Sequence, residues 1–293
     1  MYLAEIKMEI NVADVERADE VLLDLGVGGW SVFEDVVARR AWLAGIFTNE
    51  DEARARWDEL QPRLTAAGVA MLAPPAHRAL VDADWKESYK QHFKAWRFGP
   101  LHWVPVWERE TFQVPAGEHA LWLDPGMAFG TGNHETTRLC CERLVKFAAD
   151  RGVTGRVIDA GCGSGILALS AASLGFARVT AFDNDPVAVV VSEENAALNG
   201  LAGRVGFFVG DLVTGLAGRQ AELVLANIQA DVLMRFASAL CDTVTPGGQL
   251  VLSGILEREL AQVTEIFAAT APNARLESRV MGEWSDLALT RPV

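Results

Sequence analysis

From residue 3 to residue 10 apolar positions (Ala4, Ile6, Met8, Ile10) alternate with Glu5, Lys7 and Glu9, the period of a half-buried strand. Val15, Ala18, Val21, Leu22 and Leu25 then recur at helical spacing until Gly26 stops the helix. After the glycine turn, residues 30–33 and 41–47 read as two strands joined by the charged stretch 34–40. A second helix is expected over 51–67, with Ala55, Leu60 and Leu64 on one side and Pro62 tolerated as a kink, followed by a last strand over 69–72. The order βαββαβ predicts a small ferredoxin-like α+β domain over residues 1–72. It holds no catalytic-looking cluster and reads as a substrate-recognition module. Ala73-Pro74-Pro75-Ala76 is stiff and poor in donors, so residues 73–84 read as a linker and 85–293 as a second domain.

Beyond Gly155 the pattern changes. Residues 156–160, 178–182, 205–209, 222–226 and 249–253 are strand-like, and 166–174, 186–198, 230–241 and 256–269 helix-like. Short apolar strands separated by helices require a doubly wound α/β sheet covered on both faces, with ligands at the carboxyl ends of its strands. Between 85 and 122 aromatics crowd the chain (Trp85, Tyr89, Phe93, Trp96, Phe98, Trp103, Trp107, Phe112, Trp122), interleaved with Lys86, Lys90, Lys94 and Arg97. A base-stacking surface is one reading of that segment, and burial against a neighbouring domain is the better supported one.

Composition narrows the partners. Lys plus Arg (26) against Asp plus Glu (39) leaves a net charge of −13, which disfavours a broad grip on nucleic acid and favours a basic protein. The apolar run 165–177 is shorter than the ~20 residues of a membrane helix, and Glu5, Lys7 and Glu9 break up the start of the chain, so a cytoplasmic protein without a membrane span is expected. Cys140, Cys141, Cys162 and Cys241 form no CxxC pair, so neither a disulfide framework nor a metal site is expected.

The densest chemistry is Val157-Ile158-Asp159-Ala160-Gly161-Cys162-Gly163-Ser164-Gly165, three glycines on alternate positions between a strand and a helix. Glycine permits backbone angles and close ligand approach that a Cβ forbids. The spacing G-x-G-x-G is neither a dinucleotide fingerprint nor a P-loop, so pyrophosphate loses ground. Asp183, about twenty residues on at the end of the second strand, is placed to accept both hydroxyl protons of a ribose. A nucleoside cofactor without phosphates on this fold points to S-adenosylmethionine.

Together with the segment from Asp124 to Thr137 (DPGMAFGTGNHETT), Asp183-Asn184-Asp185-Pro186, Ala226-Asn227-Ile228 and Ser253-Gly254-Ile255-Leu256, this loop resembles the PrmA family, the ribosomal protein L11 methyltransferases, over essentially the whole chain. The resemblance implies a seven-stranded class I methyltransferase (Rossmann-like) domain behind the ferredoxin-like one. It also implies S-adenosyl-L-methionine as cofactor, and lysine side-chain and N-terminal amines of L11 as acceptors. Thr137, Gly161, Gly163, Asp183 and Asn227 are then the cofactor-binding residues, with Asn227 at the transferred methyl group. For Thr137 the residues alone leave helix capping equally open, since Thr136 and Thr137 precede the amphipathic run 139–147. Asn227 is followed by Ile228-Gln229-Ala230 and not by Pro-Pro-Tyr, which argues against glutamine or DNA-adenine chemistry.

The implied reaction is in-line displacement by an amine, with no covalent enzyme intermediate. His134 and Glu135 are expected to shape the loop, Cys162 to fit a tight turn without acting as a nucleophile, and Trp284 is a candidate wall of the amine pocket. Three other readings remain: methylation of another protein lysine, a non-catalytic S-adenosylmethionine-binding ribosome-associated protein, and an RNA methyltransferase. A monomer is expected.

Overall fold

In the computed structural model β1 (Leu3–Ile10), β2 (Trp30–Asp35), β3 (Arg40–Phe47) and β4 (Ala76–Leu80) form a sheet of order β2-β3-β1-β4 in which every neighbouring pair is antiparallel. This is the strand order of a split βαβ sheet. The residues described are 3–15, 17, 18, 21, 22, 30–35, 40–80, 95–123 and 135–293. The alternation along β1 is realised in burial: Ile6, Met8 and Ile10 are buried and Lys7 is exposed. Of the helix expected after β1, Val15, Ala18, Val21 and Leu22 are described and belong to the same core, while Leu25 and Gly26 lie outside the described residues.

Helix α1 (Glu50–Ala66) begins where the Asn49 side chain accepts from Glu52 N at 2.8 Å, and it continues through Pro62. Its buried stripe is Ala53, Trp57, Leu60 and Leu64, spaced i, i+4, i+7, i+11. Ala55, expected on that stripe, is exposed because it stands off this period.

The last strand of this unit differs from expectation. Residues 70 and 72 do pair with the end of β1, through Asn11 N to Ala70 O at 3.1 Å and Leu72 N to Glu9 O at 2.9 Å, but the ladder proper resumes only at Ala76. Between the Ile10–Met71 bridge and the Lys7–Ala76 pair, three steps along β1 face five along its partner. Pro74 and Pro75, which lack N–H donors, occupy that two-residue excess as a bulge in an edge strand. The proposed linker 73–84 therefore contains β4, its residues 81–84 lie outside the described residues, and the chain divides into compact units Met1–His92 and Phe93–Val293.

In the second unit β5 (Trp96–Phe98), β6 (Leu101–Pro105) and β7 (His119–Leu123) make a three-stranded sheet of that order. Phe98 and Trp103 are buried in the core of their own unit, and Trp103 Nε1 donates to Ser170 Oγ at 2.9 Å. Burial within their own unit thus accounts for these two aromatics; Trp85, Tyr89 and Phe93 lie outside the described residues.

The large sheet follows, with α2 (Glu135–Arg151), β8 (Arg156–Ala160), α3 (Ile166–Ser173), β9 (Arg178–Asp183), α4 (Pro186–Leu198), β10 (Val205–Val209), α5 (Leu212–Leu216), β11 (Ala221–Asn227), α6 (Ala230–Arg235), α7 (Ala237–Thr243), β12 (Val244–Leu256), α8 (Leu260–Thr270), β13 (Arg275–Met281) and β14 (Trp284–Thr290). Its order is β10-β9-β8-β11-β12-β14-β13; β8 to β12 run parallel and β14 is antiparallel to both neighbours. Along β11, Leu223 and Leu225 enter one core and Val224 and Ala226 the other, so both faces are covered. The strand order reverses between β8 and β11, the place where doubly wound sheets open a crevice. Among the described residues no helix is long and apolar enough to cross a membrane.

Candidate active site

The glycine loop leaves β8 at the switch point and is tied on both sides. Gly161 N and Cys162 N donate to Phe182 O of β9 at 2.9 and 3.0 Å, and Gly163 N donates to Asp183 Oδ2 at 2.9 Å. The other carboxylate oxygen, Oδ1, accepts from Asp185 N at 3.0 Å. Gly161 has φ +77°, and a Cβ there would stand 2.5 Å from Ile228 Cγ2, the residue after Asn227. One glycine thus brings the ends of β8, β9 and β11 within contact of each other.

Asn227 ends β11, and its Nδ2 donates to Thr137 Oγ1 at 3.3 Å. Thr137 is buried and is the third residue of α2, inside the helix and past its N-cap, which removes the capping alternative. The five sequence-derived residues form two pairs, Thr137 with Asn227 and Gly163 with Asp183, joined through Gly161. His134 and the segment 124–134 lie outside the described residues. Trp284 is half-buried on β14 opposite Leu256, three residues beyond Ser253, the register partner of Asn227.

Beside the loop lies a cleft of about 370 Å³, within the range of small-ligand sites. Phe182, Leu212, Ile228, Val232 and Phe236 give it apolar walls, and Asn184, Asp211 and Gln229 supply polar groups. Asp211 caps α5, accepting from Val213 N at 3.0 Å and Thr214 N at 2.7 Å, and the Thr214 bonds hold its carboxyl below the usual range. Phe236 breaks the single helix expected over 230–241 into α6 and α7, with φ −107° and ψ 19°.

Asp159, fully buried at the end of β8, is pushed up to about 7 by desolvation, against the Ala168 N–H that it accepts at 3.0 Å and with the charge of Asp183 adding to the rise. Burial also raises the Cys162 thiol far above its ordinary value, which leaves it without nucleophilic thiolate at neutral pH. Among the described residues no three His, Cys, Asp or Glu side chains are grouped to hold a metal ion.

The sequence model of the family described as ribosomal protein L11 methyltransferase (PrmA) matches residues 3–292. The chain belongs to this family. It is 38% identical to the ribosomal protein L11 methyltransferase of Geobacter metallireducens over 97% of this chain and 96% of that protein, and 37% identical to that of Pelotomaculum thermopropionicum over 98% and 93%. The crystal structure of the ribosomal protein L11 methylase of Lactobacillus delbrueckii subsp. bulgaricus superposes with a TM-score of 0.60 at 30% identity, covering 69% of this chain and all of that one.

Within this L11 methyltransferase family chain, Ile228 stood in the motif around Asn227, and the cleft residues that the sequence did not single out are Asp211, Leu212, Val232 and Phe236. Asp211 carried a local signal, since it follows β10 as Asp183 ends β9. The others had none, because only the sheet order brings three separate loops to one crevice.

Proposed function

We propose that this chain is an S-adenosylmethionine-dependent protein methyltransferase that transfers methyl groups to lysine side-chain and N-terminal amines of ribosomal protein L11. Family membership supports the substrate. The observation that carries the cofactor is Asp183: one of its oxygens closes the glycine loop on Gly163, the other caps the turn at Asp185, and each keeps a lone pair for a ribose hydroxyl. The fit extends to Gly161, which lines the cleft and where a Cβ would collide with Ile228, and to the apolar cleft walls, which suit a flat base.

When bound, S-adenosylmethionine supplies an electrophilic methyl group on a sulfonium. The chain's own residues orient the acceptor. The Asn227 amide is fixed by its bond to Thr137, and among the described residues no donor meets its Oδ1, which serves as acceptor for an N–H of the incoming amine. A lysine with a pKa of about 10.4 is neutral in only about one molecule in 2,500 at pH 7, so the site must favour the uncharged amine. Apolar surroundings such as Ile228 withdraw water and disfavour the ammonium form, and the displaced proton passes to solvent. Rate then follows from holding amine and methyl in line, with no covalent intermediate. In this reading the protein works in the cytoplasm as a monomer, acts on protein and not on nucleic acid, and uses its small N-terminal unit to grip the substrate.

The test is mass spectrometry of purified L11 incubated with the enzyme and S-adenosylmethionine. Whole-methyl mass gains on lysines or the amino terminus are expected, and Asp183→Ala should abolish them at low donor concentration. No gain on L11, with cofactor binding intact, would move the reading to another protein substrate.

A further inference from the structure

Helix α4 starts three residues after Asp183, and its polar side chains at 192 and 195, together with Asn199 just beyond its end, share one face by their i, i+3, i+7 spacing. Ser192, fully buried, donates to Gly163 O at 2.8 Å, and Asn195 donates to Ser164 O at 2.9 Å. Both therefore hold carbonyls of the glycine loop. A Cβ on Gly165 would stand 2.9 Å from Ser192 Oγ, so helix and loop are in close contact.

Asn199 reaches elsewhere. Its Oδ1 accepts from Trp122 N at 2.6 Å, and its Nδ2 donates to Trp122 O at 3.0 Å and to Asn195 O at 2.9 Å. An asparagine at a helix end ordinarily serves as a left-handed cap, but Asn199 has φ −94° and the following Gly200 takes φ +67°. Besides ending the helix as its C-cap, Asn199 uses its side-chain amide to imitate a strand partner on the edge of β7 left open by β6, and pairs with both polar groups of one residue. Arg109 closes the same corner, with its guanidinium 5.6 Å from the Trp122 ring centre and a bond to Leu198 O at 3.5 Å.

Trp122 is the penultimate residue of β7, from which the chain continues through residues 124–134 into α2 and Thr137. We propose that Asn199 is a positioning residue for methyl transfer, fixing β7 relative to the glycine loop that the same helix holds through Ser192 and Asn195. This rests on the methyltransferase reading above.

Hydrogen exchange of the full-length protein, calorimetry with S-adenosylhomocysteine and steady-state kinetics on L11 test it together. In Asn199→Ala, exchange should speed up in residues 119–123 and not in 159–167. Affinity for S-adenosylhomocysteine should stay within about twofold, while kcat falls about tenfold or more, as expected for misplacement without loss of binding. Asn195→Ala should do the reverse in exchange and weaken S-adenosylhomocysteine roughly three- to tenfold, the worth of one hydrogen bond. If Asn199→Ala loses its cooperative melt, Asn199→Asp, which keeps the acceptor for Trp122 N and sets a carboxylate oxygen against the carbonyls of Trp122 and Asn195, carries the same comparison. Unchanged exchange in 119–123, or a kcat within about twofold of the parent beside a lowered melting temperature, overturns the assignment and leaves Asn199 a strut of the fold. A parent enzyme that binds S-adenosylhomocysteine but leaves L11 unmodified strikes the functional reading alone, since the exchange readout needs no turnover.

Discussion

Asp159 and Gly161, two residues apart, show how little freedom the loop has. A side chain at 161 would have to adopt the left-handed region, at a cost of about 1–3 kcal/mol, and displace Ile228, a wall of the cleft, as well. Asp159 lies behind the loop with one backbone donor, and burial lifts its carboxyl from an ordinary 3.8 to about 7. Between about pH 4 and pH 7 the folded chain therefore keeps a proton that the unfolded chain has lost. The contribution of this group to stability falls as pH rises through that window, and above it the whole cost of a buried carboxylate is present. Asp159→Asn removes the titration. Thermal melts taken from pH 4.5 to pH 8 should show the parent losing ground relative to the Asp159→Asn variant as pH rises, with the gap flattening above about pH 7. Parallel curves would mean that Asp159 does not titrate there.

At the scale of elements, the helix that carries Thr137 is held by charge as well as by packing. Asp286 of β14, fully buried, accepts from Arg143 of α2 at 2.9 and 3.0 Å and from Arg279 of β13 at 2.6 and 3.0 Å, and Arg279 also donates to Leu139 O of α2 at 2.9 Å. Removing the shared carboxylate leaves two arginines facing each other, one of them buried. Breaking a buried pair costs about 3 kcal/mol or more, so Asp286→Ala should lower the melting temperature by roughly 6–12 °C in a unit of this size. Lys146→Ala, which opens the exposed pair with Asp150, should change it by less than about 2 °C. Equal effects would deny the buried cluster any special weight. The elements most legible in the sequence were those whose apolar runs are bounded by turn residues: β8, β9 and β11, and with them the glycine loop and Asp183, whose chemistry is local along the chain. Strand β4 was misplaced because Val69 is buried and strand-like, while the bulge that admits Pro74 and Pro75 depends on the register against β1. Helix α5 was not anticipated, having only five residues with Gly215 among them, nor was β13, whose residues are nowhere fully buried and give little apolar contrast. The cleft walls and the grip of Asn199 on Trp122 required the tertiary structure, because neither follows from spacing along the chain.

For the whole molecule, the two units are built as separate folding problems. The small unit centres on Ile6, Met8, Leu43, Trp57 and Leu60, whereas the large unit has one core on each face of its sheet. Every residue of the proposed cofactor site lies in the large unit, and so does the Asn199 corner. If the small unit serves recognition, its contacts bind the protein substrate equally in the ground and transition states, and such uniform binding lowers KM without raising kcat. A fragment of residues 93–293 should then melt cooperatively and bind S-adenosylhomocysteine within about threefold of the full chain, while its kcat/KM toward L11 drops about tenfold or more through KM. Adding the small unit back as a separate polypeptide should recover little, since covalent linkage supplies the effective concentration. A fragment that methylates L11 with the KM of the full chain would show that recognition resides in the catalytic unit. A fragment whose kcat falls while KM holds would instead make the small unit part of how the amine is aligned.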